Sequence, residues 1–174
     1  MNNTVRSTFA GLAASFLLAT GANASSPFGD CAATDIAEFP GTIVDAAIAT
    51  PELSTLVDAV VAAGLADALA TAEDITVYAP TNDAFGAVPA DILNTIVGNT
   101  DLLTAVLTYH VSPGMDDPRK YYTPVRRNTL QGQKIFLSRA NGAPRVNNAS
   151  ISCQGVSTSN GMVWIIDSVI LPAL

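Results

Sequence analysis

The stretch Thr76-Val77-Tyr78-Ala79-Pro80-Thr81-Asn82-Asp83-Ala84-Phe85 constrains the rest of the chain more than any other. Ile75, Val77 and Ala79 alternate with Thr76 and Tyr78, and such β-branched and aromatic side chains suit a pleated, buried strand. Pro80 ends that strand, because it has no N–H to offer a ladder. Thr81 or Asn82 then caps a short helix that carries Phe85 inward. A strand that turns straight into a capped helix gathers many backbone groups in one small volume, so the pattern predicts a fold nucleus here.

The segments before and after this nucleus differ in period. Apolar residues recur at helical spacing in Ile43, Val44, Ala47 and Ile48, and again in Leu53, Leu56, Val57 and Val60. Thr50-Pro51-Glu52 opens the second of these helices, and Gly64 stops it. A short third helix uses Leu65, Ala68 and Leu69. Beyond the central strand, Pro89–Val97 turns Ile92, Leu93, Ile96 and Val97 inward. A last helix from Thr100 puts Leu103, Val106, Leu107 and His110 on one face. After Met115 the period changes to two. Asp116–Asn128 reads as a polar loop, and Gln133–Arg139 as a strand with Ile135 and Leu137 on one face. Asn141-Gly142 and Asn160-Gly161 mark tight turns, and Met162–Ile166 forms a final strand. Helices first and antiparallel strands last make an α+β domain.

Met1 to Ala24 reads as a secretory signal, with Arg6 before the apolar run Phe9–Ala19 and Ala22-Asn23-Ala24 as the cleavage site. The run is too short to cross a bilayer, so no membrane insertion is expected after cleavage. Residues 25–40 then form an N-terminal tether, and residues 41–174 the domain. Cys31 in the tether and Cys153 are the 2 cysteines. An even count in an exported chain predicts a disulfide, the alternative being two free thiols.

Charge divides the chain. No Lys or Arg occurs between Arg6 and Arg119, and all of the 15 acidic residues except Asp167 lie between Asp30 and Asp117. Arg119, Lys120, Arg126, Arg127, Lys134, Arg139 and Arg145 follow with no acid among them. With a net charge of −7 the chain lacks the dominant basic footprint of a nucleic-acid binder. The asymmetry serves either solubility or a basic face that meets an anionic partner or a second copy.

Catalytic chemistry finds little support. His110 is the 1 histidine and falls on a buried stripe, where a satisfied core residue is expected. No G-x-S-x-G motif accompanies it, and one His with two bridged cysteines falls short of a zinc set. Glu73-Asp74 and Asp116-Asp117 lack calcium-loop spacing and read as solvated turns. Asp167 interrupts an apolar strand and reads as an acceptor for nearby backbone. No catalytic residue, metal site or cofactor is expected.

Thr76–Phe85 also resembles the first signature segment of fasciclin-like domains. Leu107-Thr108-Tyr109-His110-Val111, Thr129–Ile135 and Asn160–Pro172 match later segments in the same order. The resemblance implies a wedge or sandwich of short antiparallel strands flanked by a layer of about five or six helices. It further implies an extracellular or periplasmic adhesion and interaction module without catalytic residues. Two of its binding-associated segments correspond to Asp91-Ile92 and to Tyr109-His110. Trp164 stands where the family commonly has a histidine, which would alter a local surface.

From the residues themselves, the expected contact surface is the Arg119–Arg127 loop, with Arg119, Lys120, Tyr121, Tyr122, Arg126 and Arg127. Arg and Tyr dominate recognition surfaces, and guanidinium groups grip carboxylate or sulfate in pairs. The partner would be a cell-surface or matrix protein or an anionic polysaccharide. The alternatives are a small-ligand carrier or atypical enzyme on the same fold, or a self-assembling structural protein whose acidic helices dock on its basic strands.

Overall fold

The computed structural model describes Cys31 and residues 33–173. The expected signal at residues 1–24 and the first part of the tether lie outside the described residues. After the two-residue strand β1 (Ala37–Glu38) come three helices, α1 (Ile43–Ile48), α2 (Ser54–Ala62) and α3 (Ala66–Thr71). The central strand β2 (Ile75–Pro80) follows, then α4 (Asn82–Gly86), α5 (Ala90–Val97) and α6 (Thr100–Tyr109). The strand half comprises β3 (Val111–Pro113), β4 (Val125–Asn128), β5 (Lys134–Ala140), β6 (Ala143–Val146), β7 (Ala149–Ser157) and β8 (Gly161–Ile166).

The helix ends follow local chemistry. Thr42 and Asp45 form a reciprocal capping box at α1. Thr81 accepts from the Ala84 N–H at the start of α4, as its position after Pro80 predicts. Gly64 takes φ of +67° after α2, a conformation that favours glycine. Asn141 and Gly142 both have positive φ, so the β5–β6 hairpin is closed by the tight turn its sequence demands.

The strands run in the order β3-β2-β8-β7-β6-β5-β4. The sheet is mixed, which corrects the expectation of antiparallel pairing throughout. β8 lies parallel to β2, with Val77 opposite Val163 and Tyr78 opposite Trp164, and β1 lies parallel to β7. The two end strands approach one another where the Leu130 N–H donates to the Val111 carbonyl at 2.8 Å, so the sheet nearly closes.

β2 is buried on both faces and divides the interior into two cores. Ile75, Val77 and Ala79 face the helices, among Leu53, Leu56, Leu103, Val106 and Leu107. Tyr78 faces the enclosed side of the sheet, with Ile135, Leu137, Val146, Trp164 and Ile166. β8 repeats the division, with Val163 in the first core and Met162 and Trp164 in the second. Asn160 ties the layers together. Its side-chain oxygen accepts from the Ile43 N–H, and its amide donates to the carbonyls of Leu69 and Ala72.

Several expectations need correction. Ile48 and Val97 are exposed rather than inward, and Ile92 is exposed on α5, where Leu93 and Ile96 carry the packing. Each short helix needs only two or three anchors against the sheet, so its remaining apolar residues stay at the rim. The segment after Met115 is not a plain polar loop. It holds a 3-10 turn at Pro118–Lys120 and the strand β4. Asp116 and Asp117 are buried rather than solvated, because each finds an arginine. Asp167 does accept from the Ser150 N–H, at 2.8 Å.

Candidate partner-binding face

The six residues expected to form one exposed loop divide into an inner and an outer set. The inner set is built around two carboxylates. Arg119 is buried and meets Asp117 through two parallel bonds of 2.9 Å, Nε to Oδ1 and Nη2 to Oδ2. Its remaining nitrogen donates to the backbone carbonyls of Cys31, Thr34 and Cys153. Those cysteines form the expected disulfide, so the bridge and the guanidinium hold the tether together. The Arg119 guanidinium also lies 5.0 Å from the centroid of the buried Trp164 ring. Burial works to raise Asp117, but the hydrogen bonds and charge of Arg119 hold its carboxyl below the ordinary value.

Arg127 reaches inward in the same way. Its Nε donates to Asp116 Oδ2 at 2.8 Å, and its guanidinium lies 4.8 Å from the Tyr121 ring centroid. Tyr121 donates its hydroxyl to Asp116 Oδ1. Burial and the neighbouring carboxylate raise the Tyr121 hydroxyl above its usual range, and the bond to Asp116 raises Arg127. Arg139 pins the loop from below by donating to the carbonyls of Tyr121 and Arg119. Arg119, Tyr121 and Arg127 therefore shape the loop from within, and the expectation that all six side chains are exposed is corrected for these three.

Lys120, Tyr122 and Arg126 form the outer set. Tyr122 is 77% exposed, and the Arg139 guanidinium lies 4.9 Å from its ring centroid. Arg126 and Phe136 are cross-strand partners on β4 and β5, with the guanidinium 5.3 Å from the ring centroid. Both are exposed, and Lys134 lies two residues along β5 on the same outer side. Cation–π attraction holds the guanidinium of the exposed Arg126 against the Phe136 ring. The sequence reading counted Lys134 in the basic half without placing it at the contact surface, and it passed over Phe136. The signal was present, because the alternation that turns Ile135 and Leu137 inward turns Lys134 and Phe136 outward.

The remaining expected residues lie elsewhere. Asp91 and Ile92 are exposed on α5, in the helical layer. Tyr109 and His110 are buried. The Tyr109 hydroxyl donates to the Lys134 carbonyl at 3.2 Å and accepts from the Asn147 amide. His110 Nδ1 bonds the Val106 carbonyl at 2.8 Å, and its Nε2 accepts from the Ile170 N–H at 3.1 Å. Burial lowers its pKa to about 4 despite the opposing Val106 carbonyl, so the ring is neutral at physiological pH. It is the satisfied core histidine the sequence predicted. Trp164 is likewise fully buried, with Nε1 donating to the Asp116 carbonyl, and alters no surface.

The architecture has known counterparts. It superimposes on a FAS1 domain pair from the insect cell adhesion molecule Fasciclin I with a TM-score of 0.61 at 15% identity. That match covers 76% of this chain and 52% of the other, about half of the paired structure. In sequence the chain is 36% identical over 154 residues to the immunogenic protein MPB70 of Mycobacterium bovis, covering 86% of this chain and 77% of that one. It is 40% identical over 145 residues to protein sll1483 of Synechocystis, covering 82% and 78%. It is 36% identical over 154 residues to the cell surface glycolipoprotein MPB83 of Mycobacterium bovis, covering 86% and 68%. The fasciclin domain model matches residues 51–172, and with these relatives it establishes that the chain belongs to the fasciclin domain family.

Proposed function

We propose that this chain is a non-enzymatic extracellular interaction module whose β4–β5 face contacts an anionic partner, an acidic polysaccharide or the acidic face of a protein. The observation that carries the reading is the exposed stack of Arg126 on Phe136 at 5.3 Å, beside Lys134. A rigid aromatic surface next to a held guanidinium suits a sugar ring bearing carboxylate or sulfate. Lys120 and Tyr122 extend the same outward basic and aromatic character to the preceding turn. Two relatives support an extracellular setting, since MPB83 is a cell surface glycolipoprotein and Fasciclin I is a cell adhesion molecule.

The test is binding of the purified chain to immobilised heparin and to an uncharged polysaccharide at low and high salt. Saturable, salt-sensitive binding to heparin alone is expected. Arg126→Glu with Lys134→Glu should weaken it by at least about tenfold, and Phe136→Ala should weaken it without changing the salt dependence. Absence of salt-sensitive binding, or no effect of the double variant, overturns the reading.

A further inference from the structure

The helical layer, across β2 from the basic face, holds two cavities. One of about 120 Å³ lies between α1 and α2, walled by residues such as Val44, Val57, Val61 and Leu69. The other, of about 290 Å³, lies between α2, α5 and α6, walled by Ala59, Ala62, Phe85, Leu93, Ile96 and Val106. Both reach Leu107 and His110, and α2 stands between them. Interiors of natural domains contain few voids larger than a water molecule. Apolar walls favour apolar guests, and the larger cavity alone is close to the lower end of small-molecule sites, about 300–1,000 Å³.

The chemistry of the walls restricts the guest. His110 spends both ring nitrogens on Val106 and Ile170 and offers the cavities no hydrogen bond. Ala59 and Ala62 leave open the volume that longer side chains on α2 would fill. The polar side chains at the larger cavity, besides His110, are Asp58, which is exposed, and Thr55, which is half-buried. No Lys or Arg occurs anywhere from α1 through α6 to neutralise an acid. We infer that the larger cavity binds a small aliphatic molecule ending in a hydroxyl, its body between α2, α5 and α6 and its head against Asp58 and Thr55. A fatty-acid anion of the same length meets the Asp58 carboxylate with no cation in reach and is rejected.

This site is on the other side of β2 from the partner-binding face, so the two readings stand or fall separately. The test is calorimetric titration of the purified chain with 1-decanol and with decanoate at neutral pH. One-to-one decanol binding is expected, with decanoate at least about tenfold weaker. Ala62→Phe, at the exposed rim, should abolish decanol binding without lowering the unfolding midpoint. Asp58→Lys should reverse the preference towards decanoate, and it decides the matter if Ala62→Phe does not fold. No saturable decanol binding, equal affinity for both probes, or an unchanged preference in Asp58→Lys overturns the inference.

Discussion

The guanidinium of Arg119 lies over the ring of Trp164, 5.0 Å from its centroid, with both side chains shut off from solvent. A charge in that position is tolerable because every edge of the guanidinium has a partner. Asp117 supplies two bonds, and the carbonyls of Cys31, Thr34 and Cys153 supply the rest. The strand half is thus centred on an ion pair laid against an aromatic ring, with the N-terminal tether drawn across it.

Removing one member of that pair should cost more than removing both. Arg119→Ala leaves the buried Asp117 carboxylate with the exposed Lys120 ammonium at 3.7 Å and one backbone N–H as its remaining partners, and a loss of up to about 3–5 kcal/mol is expected. Arg119→Met combined with Asp117→Leu replaces charge with apolar volume and should recover most of it. Urea denaturation of these variants beside the parent chain decides this. A loss below about 1 kcal/mol in Arg119→Ala contradicts the account.

The disulfide closes a separation of 122 residues, which by chain entropy stabilises the fold by up to about 5 kcal/mol. Replacing both cysteines by alanine should lower stability by several kcal/mol. Hydrogen exchange should rise first at β1, whose short parallel pairing with β7 has little else to hold it. Equal protection of β1 in the bridged and unbridged proteins argues against this.

His110 should make the domain sensitive to mild acid. Its folded pKa of about 4 lies below the ordinary value of 6.5, so the unfolded chain binds the extra proton. Stability is then full above the unfolded pKa, falls as pH drops from about 6.5 to about 4, and loses roughly 3 kcal/mol across that window. Asp117 and Asp167 have depressed pKa values, so their contributions are lost at lower pH, below the ordinary carboxylate range. Denaturation curves stepped through the upper window test the histidine, and a flat profile there would falsify it.

Two glycine substitutions should differ sharply. A Cβ on Gly161 would sit 2.0 Å from the Ile75 carbonyl oxygen, in the parallel ladder itself. Gly161→Ala should therefore cost at least about 1–3 kcal/mol through overpacking. A Cβ on Gly86 meets nothing within 4 Å at the end of α4, and Gly86→Ala should be neutral or stabilising by up to about 1 kcal/mol. Thermal unfolding of both variants distinguishes the sites.

What the sequence made legible was local. The strand ending at Pro80, the cap at Thr81, the turn at Asn141-Gly142 and the satisfied His110 all follow from nearest-neighbour chemistry. The parallel match of β2 with β8 was not legible, because no short-range pattern joins strands from the two halves of the chain. For the same reason Arg119 read as a surface residue. Its acceptors at Cys31 and Cys153 are far away in sequence, and a basic side chain reads as exposed until its partners are known. Phe136 was legible and missed, since strand parity alone places it outside.

The parallel pairing of β2 with β8 also sets an order of events. β2 gains one neighbour, β3, soon after it is made, but its other side stays bare until residues 161–166 arrive. Long-range pairing of this kind is slow, because the intervening chain must be closed before the contact stabilises anything. A nascent chain therefore has no finished core until β8 emerges, and through most of its synthesis it remains threadable. That delay places commitment to the native state at the last strand.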